Sequence, residues 1–345
     1  MHNRIDSSTE PCVAIRLGRM GDALLATGVL EHWRKTRNLS FSFVVKAELA
    51  EIFRGHPAVR SIVAVDKPDL RNAAWLRFCR KLAAESRGRM LLDLHGNLRS
   101  RILAACWSGP IRRYPKFGLE RRILQRFQVP ALARKLNALS TPQRYAMALD
   151  ETPPAPQDVA PLLLLDDAEL ARADQYLSET GGTGPFVALH PYAAHANKAW
   201  PEEHWRSLAR MLLGQGLCPV VIGRDPNPLS IQGALDLTSR TGLRQTAAVL
   251  ARCRALVTGD SGPMHLARAV TTPVTALFGP TVRAWGFFPD GPSDTVLERG
   301  MACRPCSLHG ARPCPRNRRC LADIAPSEAL QSVLAVLDHH SPERA

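Results

Sequence analysis

The chain has 345 residues, 45% apolar and 22% charged, which excludes a largely disordered protein and suggests two domains. No apolar run approaches the roughly 18 residues of a bilayer span. The formal charge of +14 is uneven: residues 1–150 hold 27 Lys and Arg against 12 Asp and Glu, residues 151–345 hold 18 against 19.

In chain order, the first stretch (MHNRIDSSTEPC) carries early acids and no apolar h-region, so no export signal and a reducing, cytoplasmic setting are expected. CVAIRL (12–17) predicts a strand, and GRMGD leads into a helix. On that helix Ala26, Val29, Leu30 and Trp33 recur at helical spacing on one apolar face. SFSFVVK (40–46), SIVAVD (61–66) and MLLDL (90–94) read as further strands, with a helix near 69–86. Such alternation predicts a parallel sheet covered by helices. Residues 99–135 are polar, with eight Arg and two Lys against Glu120 alone. Four prolines in ETPPAPQDVAP (151–161) mark a linker between a domain at 1–150 and one at 162–345.

The second domain repeats the pattern. FVALH (186–190), CPVVIG (218–223), ALVTGD (255–260) and PVTALFG (273–279) are predicted strands. A helix after Pro201 buries Trp205, Leu208, Ala209 and Leu212, and a last helix covers 326–338. Two Rossmann-like domains facing across a cleft are the expected α/β architecture, with ligands at the carboxyl ends of the strands.

Four segments could carry chemistry. In RLGRMGDALLATGVL (16–30) two glycines permit a tight strand-to-helix turn, which places Asp22 at or near the helix N-cap, where it can cap the helix or act as a general base. In HPYAAHANKAWPEEHW (190–205) a loop of small residues beside Lys198 can hold an anion, or simply carry a solvated lysine. TGDSGPMHLARA (258–269) looks superficially like a serine-protease string but lacks its second Gly and any placed His and Asp partners. A Ser-Gly-Pro loop at a helix start suits phosphate or a hydroxylated ligand better, with His265 in the first turn. The fourth segment is C-x2-C-x7-C-x5-C over Cys303, Cys306, Cys314 and Cys320 (303–320). Four thiolates suffice for a structural zinc site; a metal-free reduced cluster and local disulfides are the alternatives.

Together these motifs resemble glycosyltransferase family 9, the lipopolysaccharide heptosyltransferases, along nearly the whole chain. The opening R-x-G-x-x-G-D block, DLHGNLRS (93–100), NKAWPEEHW and GDSGPMHLARAVTTPVTALFGPT occur in the family's order, followed by a Cys-rich tail. The resemblance implies a GT-B fold with an acceptor domain and a nucleotide-sugar domain. It implies inverting transfer of heptose from ADP-heptose to the inner core of lipopolysaccharide, on Kdo–lipid A or a heptosylated core. Asp22 matches the general base; Lys198, Asp225, Asp260, Ser261, Gly262 and His265 match donor-binding positions. No cofactor is needed for catalysis, any zinc being structural. The basic region, with Arg112, Arg113, Arg121 and Arg122, is expected to meet the anionic acceptor and the cytoplasmic leaflet of the inner membrane, so that the protein is peripheral. The alternatives are a family 9 transferase for another sugar or acceptor and, more remotely, a zinc-containing nucleic-acid-binding protein. Nucleic acid is not the expected partner, because the cysteines lie in the neutral half.

Overall fold

A computed structural model describes residues 11–179, 184–308, 310 and 313–339. The chain forms two compact units, Met1–Lys116 with Thr141–Leu164, and Phe117–Ser140 with Leu165–Ala345.

The first unit begins with β1 (Cys12–Ile15), α1 (Met20–Arg37), β2 (Phe41–Lys46), β3 (Val59–Val65), α2 (Asn72–Glu85), β4 (Leu91–Asp93), α3 (Leu98–Ala105) and β5 (Ile111–Arg113). All pairings are parallel, in the order β3-β2-β1-β4-β5. β1 and β2 are buried along nearly their whole length, which is why they read as near-continuous apolar runs. The predicted face of α1 is fully buried: Ala26, Val29, Leu30 and Trp33 have no exposed surface.

Next come α4 (Gly118–Phe127) and α5 (Pro130–Asn137), then α6 (Thr141–Ala146) and α7 (Asp167–Ser178). The second sheet is built from β6 (Phe186–His190), α8 (Glu202–Gly214), β7 (Cys218–Val221), β8 (Leu235–Asp236), α9 (Leu243–Arg252), β9 (Ala255–Gly259), α10 (Gly262–Ala269), β10 (Val274–Phe278) and β11 (Thr295–Glu298). Its order is β11-β10-β9-β6-β7-β8, again all parallel. Short α11 (Arg319–Ala322) and α12 (Pro326–His339) close the chain, and α12 packs on α8 through Ala329 and Val333.

The structure divides the chain differently from the boundary drawn at the prolines. Helices α4 and α5 belong to the second unit, because Leu124 and Leu136 pack with Ala284 and Trp285. Residues 151–161 are a strap rather than a linker. Val159 is buried, Leu162 N–H donates to Thr27 Oγ1 at 2.8 Å, and a Cβ at Gly28 would overlap the Val159 and Ala160 carbonyls. Divided by these units, the charge is 22 basic against 13 acidic side chains in the first and 23 against 18 in the second. The basicity is therefore shared, since five of the cations travel with α4 and α5.

Among the described residues, no helix is long and apolar enough to cross a membrane.

Candidate functional site

Each sheet has one point where the strand order reverses. In the first unit β2 and β3 lie to one side of β1, and β4 and β5 to the other. In the second, β7 and β8 lie to one side of β6, and β9, β10 and β11 to the other. Loops leaving such neighbouring strands diverge, so a crevice opens at their carboxyl ends. The candidate residues at 22, 198 and 260–262 follow these switch-point strands.

In the first unit the chain leaves β1 through Arg16 and Gly18 and enters α1. The N-cap is Arg19, three residues before Asp22. Asp22 therefore sits within the first turn, and its Oδ2 accepts the Arg19 N–H at 3.1 Å. A Cβ at Gly18 would overlap the Asp22 carboxylate, which explains the glycine. Oδ1 pairs with Arg16 Nη2 at 2.5 Å, with both side chains mostly buried. Arg16 reaches across the switch point: its Nη1 donates to Leu94 O at 3.1 Å and His95 O at 3.3 Å, and lies 3.1 Å from His95 Nδ1. Its guanidinium also lies 5.4 Å from the Tyr145 ring centroid.

Asp93, at the end of β4, is fully buried. Its Oδ1 accepts the N–H groups of His95 (3.0 Å) and Gly96 (2.8 Å), and Oδ2 faces Arg113 Nε at 3.5 Å. Lys116 Nζ donates to the carbonyls of His95 and Gly96. Burial, with Arg16 and Lys116 nearby, pushes the His95 pKa down to about 3, so its ring is neutral at pH 7. Arg16, Asp93, His95 and Lys116 carry no local mark of a site in the sequence. DLHGNLRS is visible as a segment, but nothing local shows that its loop meets the one after β1.

In the second unit Lys198 and Asp260 form an ion pair, and Thr281 Oγ1 donates to the same carboxylate oxygen at 2.7 Å. These three come from the loops after β6, β9 and β10, which parallel pairing brings to the same carboxyl end of the sheet. Ser261 is the N-cap of α10. Its hydroxyl lies 3.0 Å from Thr258 Oγ1 and 3.2 Å from His190 Nδ1, with His190 at the end of β6. Burial pushes the His190 pKa down to about 4, so this ring too is neutral. Gly262 opens α10 with Pro263 next, and the first turn carries no acid. His265 is buried, with its ring edge-on to Phe287 at 6.2 Å.

Asp225 stands apart from this group. It follows β7, where its Oδ1 accepts the Asn227 N–H at 2.9 Å. The four arginines are divided: Arg112 and Arg113 lie on β5 in the first unit, Arg121 and Arg122 on α4 in the second.

All four clustered cysteines are reduced. Burial first, and then the Cys303 thiol, push Cys306 up to about 11; burial also raises Cys320. Arg318 N–H donates to Cys314 Sγ at 3.4 Å. Among the described residues no three His, Cys, Asp or Glu side chains are arranged to hold a metal ion.

Residues 75–310 match the family described as glycosyltransferase family 9 (heptosyltransferase). The chain is 29% identical over 320 residues to lipopolysaccharide heptosyltransferase 1 of Pseudomonas aeruginosa, covering 85% of this chain and 84% of that one. Among solved structures, a family 9 glycosyl transferase from Veillonella parvula superposes with a TM-score of 0.77 at 19% identity, over 96% of this chain and 98% of that chain. Escherichia coli ADP-heptose lipopolysaccharide heptosyltransferase II gives 0.71 at 19% identity, over 96% and 100%. These likenesses extend over both parallel-sheet units and show the fold to be of the GT-B type expected from the sequence.

Proposed function

Since the chain belongs to glycosyltransferase family 9, and is therefore an enzyme, we propose that it transfers heptose from ADP-heptose to the inner core of lipopolysaccharide. The acceptor on this reading is Kdo–lipid A or a core already carrying heptose. The names of the relatives support both substrates.

The observation that carries the donor half is the switch point of the second unit. There α10 presents an N-terminus with no acid in its first turn, and Lys198 is held nearby on Asp260. Free N–H groups and a lysine suit a diphosphate. On binding, Lys198 turns from Asp260 to the phosphates, and together with the α10 dipole it offsets the charge that builds on departing ADP. Neutral His190 holds the Ser261 hydroxyl without adding charge. Asp225 serves the ribose hydroxyls.

In the first unit Asp22 takes the proton from the acceptor hydroxyl as that oxygen attacks the anomeric carbon, with inversion. Each carboxylate oxygen has two acceptor sites. The bonds to Arg16 and Arg19 therefore fix the carboxylate while leaving lone pairs for the incoming hydroxyl. Arg112, Arg113, Arg121 and Arg122 meet Kdo carboxylates and lipid phosphates at the cytoplasmic face of the inner membrane, where the enzyme is peripheral. The cysteines take no step in this chemistry.

The donor reading is tested by thermal unfolding with ADP. Stabilisation of about 2.7 kcal/mol is expected at a hundredfold excess over Kd. No shift with ADP, but a shift with another nucleotide, would replace the donor.

A further inference from the structure

Helix α4 has one face accounted for and one left open. On its inner side Leu124 is buried against the Trp285 cluster. Gln125 Nε2 donates to Cys306 O at 3.4 Å, and Gln128, just past the helix, donates through its Nε2 to Ala302 O at 2.8 Å. On the other side Leu119, Arg122, Ile123, Arg126 and Phe127 fall at i, i+3, i+4, i+7 and i+8, a single helical stripe.

Leu119 is 68% exposed and Phe127 67%, among the most exposed large apolar side chains described. Arg122 and Arg126 are exposed between them, and the Arg126 guanidinium lies 5.4 Å from the Phe127 ring centroid. The segment 117–140 has five cations and one acid. A soluble surface has little reason to hold apolar ends apart on a cationic stripe. An interface between water and anionic headgroups does, because the apolar ends enter the acyl boundary while the guanidinium groups stay at phosphate depth.

We infer that α4 docks the enzyme on an anionic bilayer surface, with Leu119 and Phe127 inserted and Arg122 and Arg126 on the lipid phosphates. This rests on the reading that the acceptor is membrane-borne, and it adds the element that makes the contact. Charge complementarity selects lipid as the occupant. A protein partner would leave binding to lipid vesicles absent.

The test is co-sedimentation with phosphatidylglycerol–phosphatidylethanolamine vesicles across a salt series. The wild-type chain should bind, more weakly as salt rises. The Leu119→Gln/Phe127→Gln double variant should lose at least about tenfold in partitioning. Its ADP-induced stabilisation and its transfer to a deacylated, water-soluble Kdo acceptor should match wild type, which shows that it is folded. Arg126→Glu, a milder change to the same stripe, should lose binding in the same direction. Equal binding by wild type and double variant, equal binding to vesicles of phosphatidylethanolamine alone, or no binding by wild type would each overturn the inference. Failure of transfer to the soluble acceptor would instead overturn the functional reading, whatever the vesicles show.

Discussion

Both units place a strand, a glycine-containing loop and a helix at the switch point of a parallel sheet, yet they fill that position in opposite ways. In the first unit the positive end of α1 is occupied by the chain's own carboxylate, because Asp22 accepts the Arg19 N–H and is pinned by Arg16. In the second unit the start of α10 has a hydroxyl at the N-cap and no acid in its first turn. The nearest acid, Asp260, precedes the helix and is drawn off by Lys198 and Thr281. On the proposed reading, the same local geometry excludes a phosphate in one unit and accommodates one in the other. A single acidic side chain within a helix turn decides which.

This contrast can be broken at several points. The largest effect is expected at Asp22. Asp22→Asn keeps the size and the bond to Arg19 N–H but removes the base, so kcat should fall by about 10²–10⁴-fold while ADP affinity stays as in wild type. Steady-state kinetics with an ADP titration would show it, and a parallel loss of ADP binding would mean that the two switch points are not separate in role. Next is Lys198→Ala, which removes a charge-assisted contact to the diphosphate. ADP affinity by calorimetry should drop about ten- to a hundredfold, and unchanged affinity would take Lys198 out of the donor site.

The two buried histidines give a smaller effect. Both are neutral when folded, His190 at about 4 and His95 at about 3, below the ordinary histidine value of 6.5. The unfolded chain therefore binds more protons below pH 6.5, and this part of the stability is lost as pH falls towards the folded values. At pH 5 each should cost up to about 2 kcal/mol relative to pH 7. Denaturant unfolding of His190→Gln at both pH values should show a reduced pH-dependent loss for the second unit. The smallest effect is Ser261→Ala, which removes one neutral hydrogen bond to Thr258 or His190 and should cost about 1 kcal/mol in thermal unfolding.

Much of this arrangement was legible in the sequence. FVALH coincides with β6, and the buried faces of α1 and α8 fall where the helical spacing placed them. The missing parts are those that depend on distant contacts. Short edge strands such as Ile111–Arg113 and Leu235–Asp236 carry too few residues to show a period. Nothing near residue 124 shows that its partner is Trp285, so the sequence alone leaves α4 and α5 with the first unit. The proline-rich strap looked like a linker because its burial comes from carbonyls packing on Gly28, and glycine leaves no mark in an apolar pattern. Arg16 and His95 meet only because parallel pairing sets β1 beside β4. The C-x2-C-x7-C-x5-C spacing is legible in the sequence, and its four cysteines are free.

On the proposed reading, Asp22 in the first unit works on a lipopolysaccharide acceptor with an ADP-heptose donor held by the second. The most direct measurement incubates wild-type and Asp22→Asn protein with ADP-heptose and lipopolysaccharides truncated at defined core lengths, and weighs the products by mass spectrometry. One inner-core acceptor should gain a single heptose with wild type and remain unmodified with Asp22→Asn. Normal turnover by Asp22→Asn, or wild-type transfer only from a different nucleotide sugar or to no lipopolysaccharide acceptor, would contradict the account.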